Sequence, residues 1–255
     1  MTSHSDQSLF KGHSVLITGA TGDIGTAIVS ACLRAGAFVF ANGRDEEKLA
    51  ALEEKFPDNL HSLHYDVTDE KAVKEAFRQI QKQQMQPKVG PLFGLVNNAG
   101  IMEEAPLSVT RLDSLKAQLN TNLLAPYQHM QLASRLMSRQ RKGSIVNILS
   151  MVGEQGASGM SAYASSKAAL KGATLSLAKE LAPIGIRVNG VAPGFIATSL
   201  TAHYDDEAQT EVKKRRAIKR AGNANEVARA VLFLLSEQAS YTTGHILPVD
   251  GLFSP

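Results

Sequence analysis

Seven short runs of β-branched and apolar residues recur along the chain, at 14–18, 37–41, 60–64, 92–97, 144–149, 186–191 and 245–249. Longer helix-compatible stretches separate them, at 24–35, 45–56, 70–84, 112–139, 162–181 and 225–236. Strands that alternate with helices build βαβ units, whose right-handed crossovers leave a parallel sheet with helices on both faces. Several runs are apolar throughout, as strands covered on both sides must be. A chain of 255 residues buries a sizeable core in one unit, so a single α/β domain is expected over 11–255, on a doubly wound parallel sheet of about seven strands. Residues 1–10 are expected as a flexible polar tail. The stretch 196–220, too long and polar for a simple connection, is expected as a substrate loop.

Composition removes several classes of function. No stretch approaches the roughly 18 consecutive apolar residues of a membrane span, and the polar start lacks the basic and apolar regions of a secretory signal. Cys32 is the only cysteine, which excludes an intramolecular disulfide or a cysteine-rich metal site and fits the reducing cytoplasm. His61 and His64 have strand-like spacing and no clear third ligand, so no metal site is expected. A net charge of +3 is too slight to imply nucleic acid, although a basic cluster stands at 213–220.

The chemistry-bearing residues follow the strands. After the first run come Gly19, Thr21, Gly22, Asp23, Ile24 and Gly25, then a helix. Glycines there let backbone N–H groups approach a pyrophosphate at a helix N-terminus, whose partial positive charge favours anions. After the second run, Gly43 stands where an acidic residue would bind ribose hydroxyls, and Arg44 offers a guanidinium to a 2′-phosphate; NADP(H) is therefore expected over NAD(H), which is not excluded. Tyr163 and Lys167 lie at i and i+4 and share one helix face, where a cation draws a phenol toward its phenolate.

Thr18 to Gly25 resembles the T-G-x-x-x-G-x-G turn of the short-chain dehydrogenases/reductases at every fixed position but Asp23, which replaces a glycine. The order of Asn97-Asn98-Ala99-Gly100, Asn122, Ser150, Tyr163-x-x-x-Lys167 and Pro193-Gly194 is similar to that family's over about residues 10–251. The resemblance implies a Rossmann-type fold and a catalytic set of Asn122, Ser150, Tyr163 and Lys167. In it Tyr163 donates a proton to the developing alkoxide, Ser150 polarises the carbonyl, Lys167 also holds the nicotinamide ribose, and Asn122 helps hold a relay water. It further implies cofactor contacts at Asp66 and Val67 (adenine), at Asn98, Ala99 and Gly100, and at Pro193, Gly194, Ile196 and Thr198. Asp23 would burden the pyrophosphate site unless it points away or caps the helix, and capping is expected.

Within the family the chain looks most like 3-oxoacyl-[acyl-carrier-protein] reductases. That implies a β-ketoacyl thioester substrate and an acidic acyl carrier protein as partner, steered by Arg141, Lys142 and the 213–220 cluster. It also implies a homotetramer paired through the helices at 112–139 and 162–181. Reductases of sugars, steroids or small alcohols share the catalytic set, and a non-catalytic dinucleotide-sensing scaffold is the alternative of another class.

Overall fold

The computed structural model describes residues 9–202, 204, 205, 207 and 214–252. The strands are β1 (Ser14–Ile17), β2 (Phe38–Gly43), β3 (Leu60–His64), β4 (Leu92–Asn97), β5 (Gly143–Ile148), β6 (Ile186–Pro193) and β7 (Ile246–Val249), each within two residues of its expected ends. All pair in parallel, in the order β3-β2-β1-β4-β5-β6-β7. The order reverses between β1 and β4, and in open α/β sheets the crevice beyond the strand C-termini at such a point receives the ligand.

Alternate strand residues face opposite helical layers because side chains on a strand repeat with period two. Val15 and Ile17 of β1, with Val146 and Ile148 of β5, pack beneath α1 (Asp23–Arg34), α2 (Glu46–Lys55) and α8 (Ala224–Leu235). Leu16 and Ile145 face the other way, onto α3 (Glu70–Gln83), α5 (Ala125–Met137) and α7 (Ser161–Leu181). Asp45, Asp69 and Asn223 cap α2, α3 and α8 by accepting from first-turn backbone N–H groups.

Three expectations need correction. Residues 1–8 of the expected tail lie outside the described residues, but Phe10 belongs to the core: it is 1% exposed, and its N–H donates to Ala35 O at 3.0 Å. The helix expected at 112–139 is broken into α4 (Leu112–Leu119), one π-turn over Asn120–Leu124, and α5. Pro126 explains the break, because its ring displaces the carbonyl of Asn122 four residues back and it has no N–H to bond it. A short helix not expected from the sequence, α6 (Met151–Gln155), follows β5, with Ser150 as its N-cap.

Candidate active site

The residues picked from the sequence as site residues, the fully buried Asn122 apart, line two adjoining cavities at the C-terminal ends of the strands. The first, about 410 Å³, is lined by Gly19, Thr21 to Gly25, Arg44, Asp66, Val67, Asn98 to Gly100 and Thr198. Its floor is the turn after β1. Gly19 has φ +62°, and a side chain there would meet Ala99 Cα at 2.9 Å; at Gly25 a Cβ would fall 2.0 Å from Gly19 O. The Thr18 hydroxyl accepts from the N–H groups of Asn98 and Ala99 at 3.0 and 3.1 Å, while Asn98 Nδ2 donates to Thr18 O and Gly19 O, both at 3.0 Å. The Asn98 Nδ2 thus braces the glycine turn, while Asn98 lines both cavities.

This cleft fits a dinucleotide. Gly22, the N-cap of α1, supplies no side-chain acceptor to the first-turn N–H groups, so the helix N-terminus presents donors to an anion. Arg44 lies at the far edge, 3.8 Å from Asp66 Oδ2, with both side chains well exposed. Asp66 also accepts from the Thr68 N–H and hydroxyl at 2.9 and 2.7 Å. Asp23 departs from its expected capping role: the N-cap is Gly22, and the Asp23 carboxylate turns across the cleft, accepting from Ser199 N and Oγ at 2.7 Å each. Hydrogen bonds from the Ser199 N–H and hydroxyl hold its carboxyl below the usual range.

The second cavity, about 640 Å³, shares Ile24, Asn98, Thr198 and Leu200 with the first. Met102, Met151, Met160, Phe195, Ile196 and Leu200 give it an apolar lining, and Ser150, Tyr163 and Lys167 stand on its wall. Burial pushes the Tyr163 phenol above its ordinary pKa, against the hydrogen bond with Ser150, and pushes the Lys167 ammonium down to about 8. Lys167 Nζ donates to Ile148 O at 2.8 Å and lies 5.8 Å from the Tyr163 ring centroid. The phenol's shift is set by burial, opposed by the Ser150 hydrogen bond, and not by the expected pull of Lys167.

Asn122 is fully buried, and its side chain clasps the backbone of Ile101: Oδ1 accepts from Ile101 N and Nδ2 donates to Ile101 O, both at 2.9 Å. Nδ2 also donates to Ser166 Oγ at 3.0 Å, and Ser166 donates to Tyr163 O at 2.7 Å. The Asn122 side chain is thereby committed to Ile101 and Ser166. Ser166 was not foreseen as part of this network, although it lies at i+3 from Tyr163, a spacing that keeps it on the same helix face.

Past β6, Pro193 and Gly194 lead to Ile196, 4% exposed and bridged to Gly222, and to Thr198, which forms a capping box with Thr201. At the rim, Tyr204 donates to Glu104, and the Arg216 guanidinium sits 5.7 Å from the Phe195 ring centroid. The basic rim expected from the sequence is only partly assembled. Lys213 lies outside the described residues, and Arg220 is paired with Glu226 at 2.6 Å. Arg141 and Lys142 precede β5 at the end of the sheet opposite Ser150, with a six-residue strand about 20 Å long at the 3.3 Å rise between them. There Arg141 donates to Pro183 O and Lys142 pairs with Glu237.

Comparisons with known proteins agree with this geometry. Residues 19–253 match the family described as Enoyl-(Acyl carrier protein) reductase. The chain is 38% identical over 244 residues to the 3-oxoacyl-[acyl-carrier-protein] reductase FabG of Thermotoga maritima, covering 94% of this chain and 97% of that protein. It is 35% identical over 242 residues to the protein of that name from Escherichia coli, covering 95% and 97%. A gluconate 5-dehydrogenase from Burkholderia cenocepacia, solved with NADP and tartrate, superposes with a TM-score of 0.90 at 31% identity, over 98% of both chains. The chain belongs to the short-chain dehydrogenase/reductase family and is an oxidoreductase of that kind.

Proposed function

We propose that the protein reduces the ketone of a 3-oxoacyl thioester, carried on an acyl carrier protein, to the 3-hydroxyacyl product with NADPH. The observation that carries this reading is the convergence of Ser150, Tyr163 and Lys167 on the wall of a mainly apolar cavity of about 640 Å³ that adjoins the dinucleotide cleft. Gly19 to Gly25 and the α1 N-terminus would hold the pyrophosphate, Asp66 and Val67 the adenine, Arg44 the 2′-phosphate, and Lys167, Ile196 and Thr198 the nicotinamide half. When bound, the reduced nicotinamide supplies hydride to the carbonyl carbon.

The rest of the chemistry belongs to the chain. Ser150 and Tyr163 polarise the carbonyl oxygen by donating hydrogen bonds to it. A phenol held protonated by burial is suited to give its proton to that oxygen as negative charge develops there. The cation of Lys167 steadies the phenolate left behind, and the main-chain carbonyl of Asn122 holds the water through which the proton is replaced. Lys167, down to about 8, changes protonation close to neutrality, which suits a relay.

The mainly apolar lining around Met102, Met151 and Met160 favours an acyl chain over a polyol. Lys214, Arg215 and Lys219 are exposed on the substrate loop, where they would face an acidic carrier. Exposed Leu112, Leu124, Tyr127 and Leu175, along α4, the π-turn, α5 and α7, offer apolar surface for pairing into a homotetramer. A cytoplasmic setting fits the lone, buried Cys32.

The test is the loss of NADPH absorbance with acetoacetyl on acyl carrier protein against the same group on coenzyme A. The carrier-bound form is expected to give a kcat/KM at least about tenfold higher, worth ~1.4 kcal/mol. Equal values for both would remove the carrier from the reading, and no turnover of either would reject the substrate class.

A further inference from the structure

Asp23 stands where the glycine turn departs from the family's pattern, and it makes the one side-chain tie described between the turn and the loop after β6. Ser199, its partner, is 176 residues away in sequence. Ser199 opens a single 3₁₀ turn, Ser199–Thr201, closed by the Thr198–Thr201 capping box. Its N–H and hydroxyl reach the carboxylate from the start of that turn. Thr198, Ser199 and Leu200 form one wall of the dinucleotide cleft, and Gly19 to Gly25 form the facing wall. A carboxylate left pointing into the cleft would oppose a pyrophosphate; here its charge is met by two donors on the far wall.

We propose that Asp23 is a positioning residue that straps the Ser199 turn over the bound dinucleotide, so that release of the cofactor requires the Asp23–Ser199 tie to open. The inference rests on the reading that the cleft takes NADP(H). Two charge-assisted hydrogen bonds must break together for the walls to part, and openings of this kind set release rates in many enzymes. The same tie holds Leu200 and Thr201, which line the ketone cavity, and so joins the two halves of the site.

The experiment follows NADPH fluorescence on mixing and on dilution, for the wild type, D23G, D23N, S199A and the D23G/S199A double variant. Glycine is the family's usual residue at this exposed position, so D23G is compatible with the fold. Release is expected to quicken about tenfold in D23G, equivalent to ~1.4 kcal/mol. A smaller increase is expected in D23N, which keeps an acceptor for the Ser199 N–H without the charge. S199A should quicken release in the wild type and have no further effect in D23G, the non-additivity expected of one shared contact. Unchanged release in D23G and D23N, equally slowed release in both as relief of simple repulsion would give, or additive effects of D23G and S199A would overturn the proposal. Failure of the wild type to bind NADPH would overturn the reading of the cleft itself, and the strap with it.

Discussion

Burial acts on Tyr163 and Lys167 in opposite directions, raising the phenol and bringing the ammonium down to about 8. The lysine's folded value is depressed below the ordinary 10.5, so between these limits the unfolded chain binds more protons than the fold, and stability rises with pH across that window. Relative to Lys167→Met, the wild type should therefore gain about 3 kcal/mol between pH 8 and pH 10.5, measured by urea unfolding at a series of pH values. A second expectation concerns Arg44, whose only neighbouring carboxylate described is Asp66 at 3.8 Å. Arg44→Ala should raise the KM for NADPH about tenfold and leave that for NADH within about twofold, as steady-state kinetics with each cofactor would report. The spacing of Tyr163 and Lys167 and the identity of Arg44 were legible in the sequence because they are local. The depth at which the pair is buried was not, because β5, α6 and the loop after β6 create it together.

The π-turn at Asn120–Leu124 is where element geometry and chemistry meet. Pro126 at i+4 cannot donate to the Asn122 carbonyl, and the Asn122 side chain fixes Ile101 beside the site through two bonds of 2.9 Å. Asn122→Ala leaves buried partners unpaired and should lower stability by about 2–4 kcal/mol while reducing turnover, read by thermal unfolding and kcat together. Strands were legible at element scale because fully buried strands are continuous apolar runs. The single helix expected at 112–139 overlooked Pro126, a visible breaker. Helix α6 was hidden for a different reason: its five residues are too few to show a period, and only its Ser150 cap marks it. Ser199 as the partner of Asp23 had no local signal, since the contact forms only when β6 carries the loop back over the turn after β1.

At the scale of the whole molecule, the parallel sheet delivers residues from every part of the chain to one end. Gly19 follows β1, Asn98 follows β4, Ser150 follows β5 and Pro193 ends β6, so sequence-distant groups converge at the point where strand order reverses. The same topology sends Arg141 and Lys142 to the opposite end, where a reading of charge along the chain alone had joined them to the substrate loop. That end-to-end polarity could be read from the strand pattern, whereas the cavity's apolar lining arises from Met102, Met151 and Met160 on three different segments. The most direct measurement compares the wild type with Tyr163→Phe, by NADPH consumption with an acetoacetyl thioester and, separately, by NADPH binding. Turnover is expected to fall by about 10²–10⁴ with binding unchanged within about twofold, the cost of losing the proton donor while the cleft stays intact. Turnover in Tyr163→Phe equal to that of the wild type would contradict the assignment of this phenol as the proton donor.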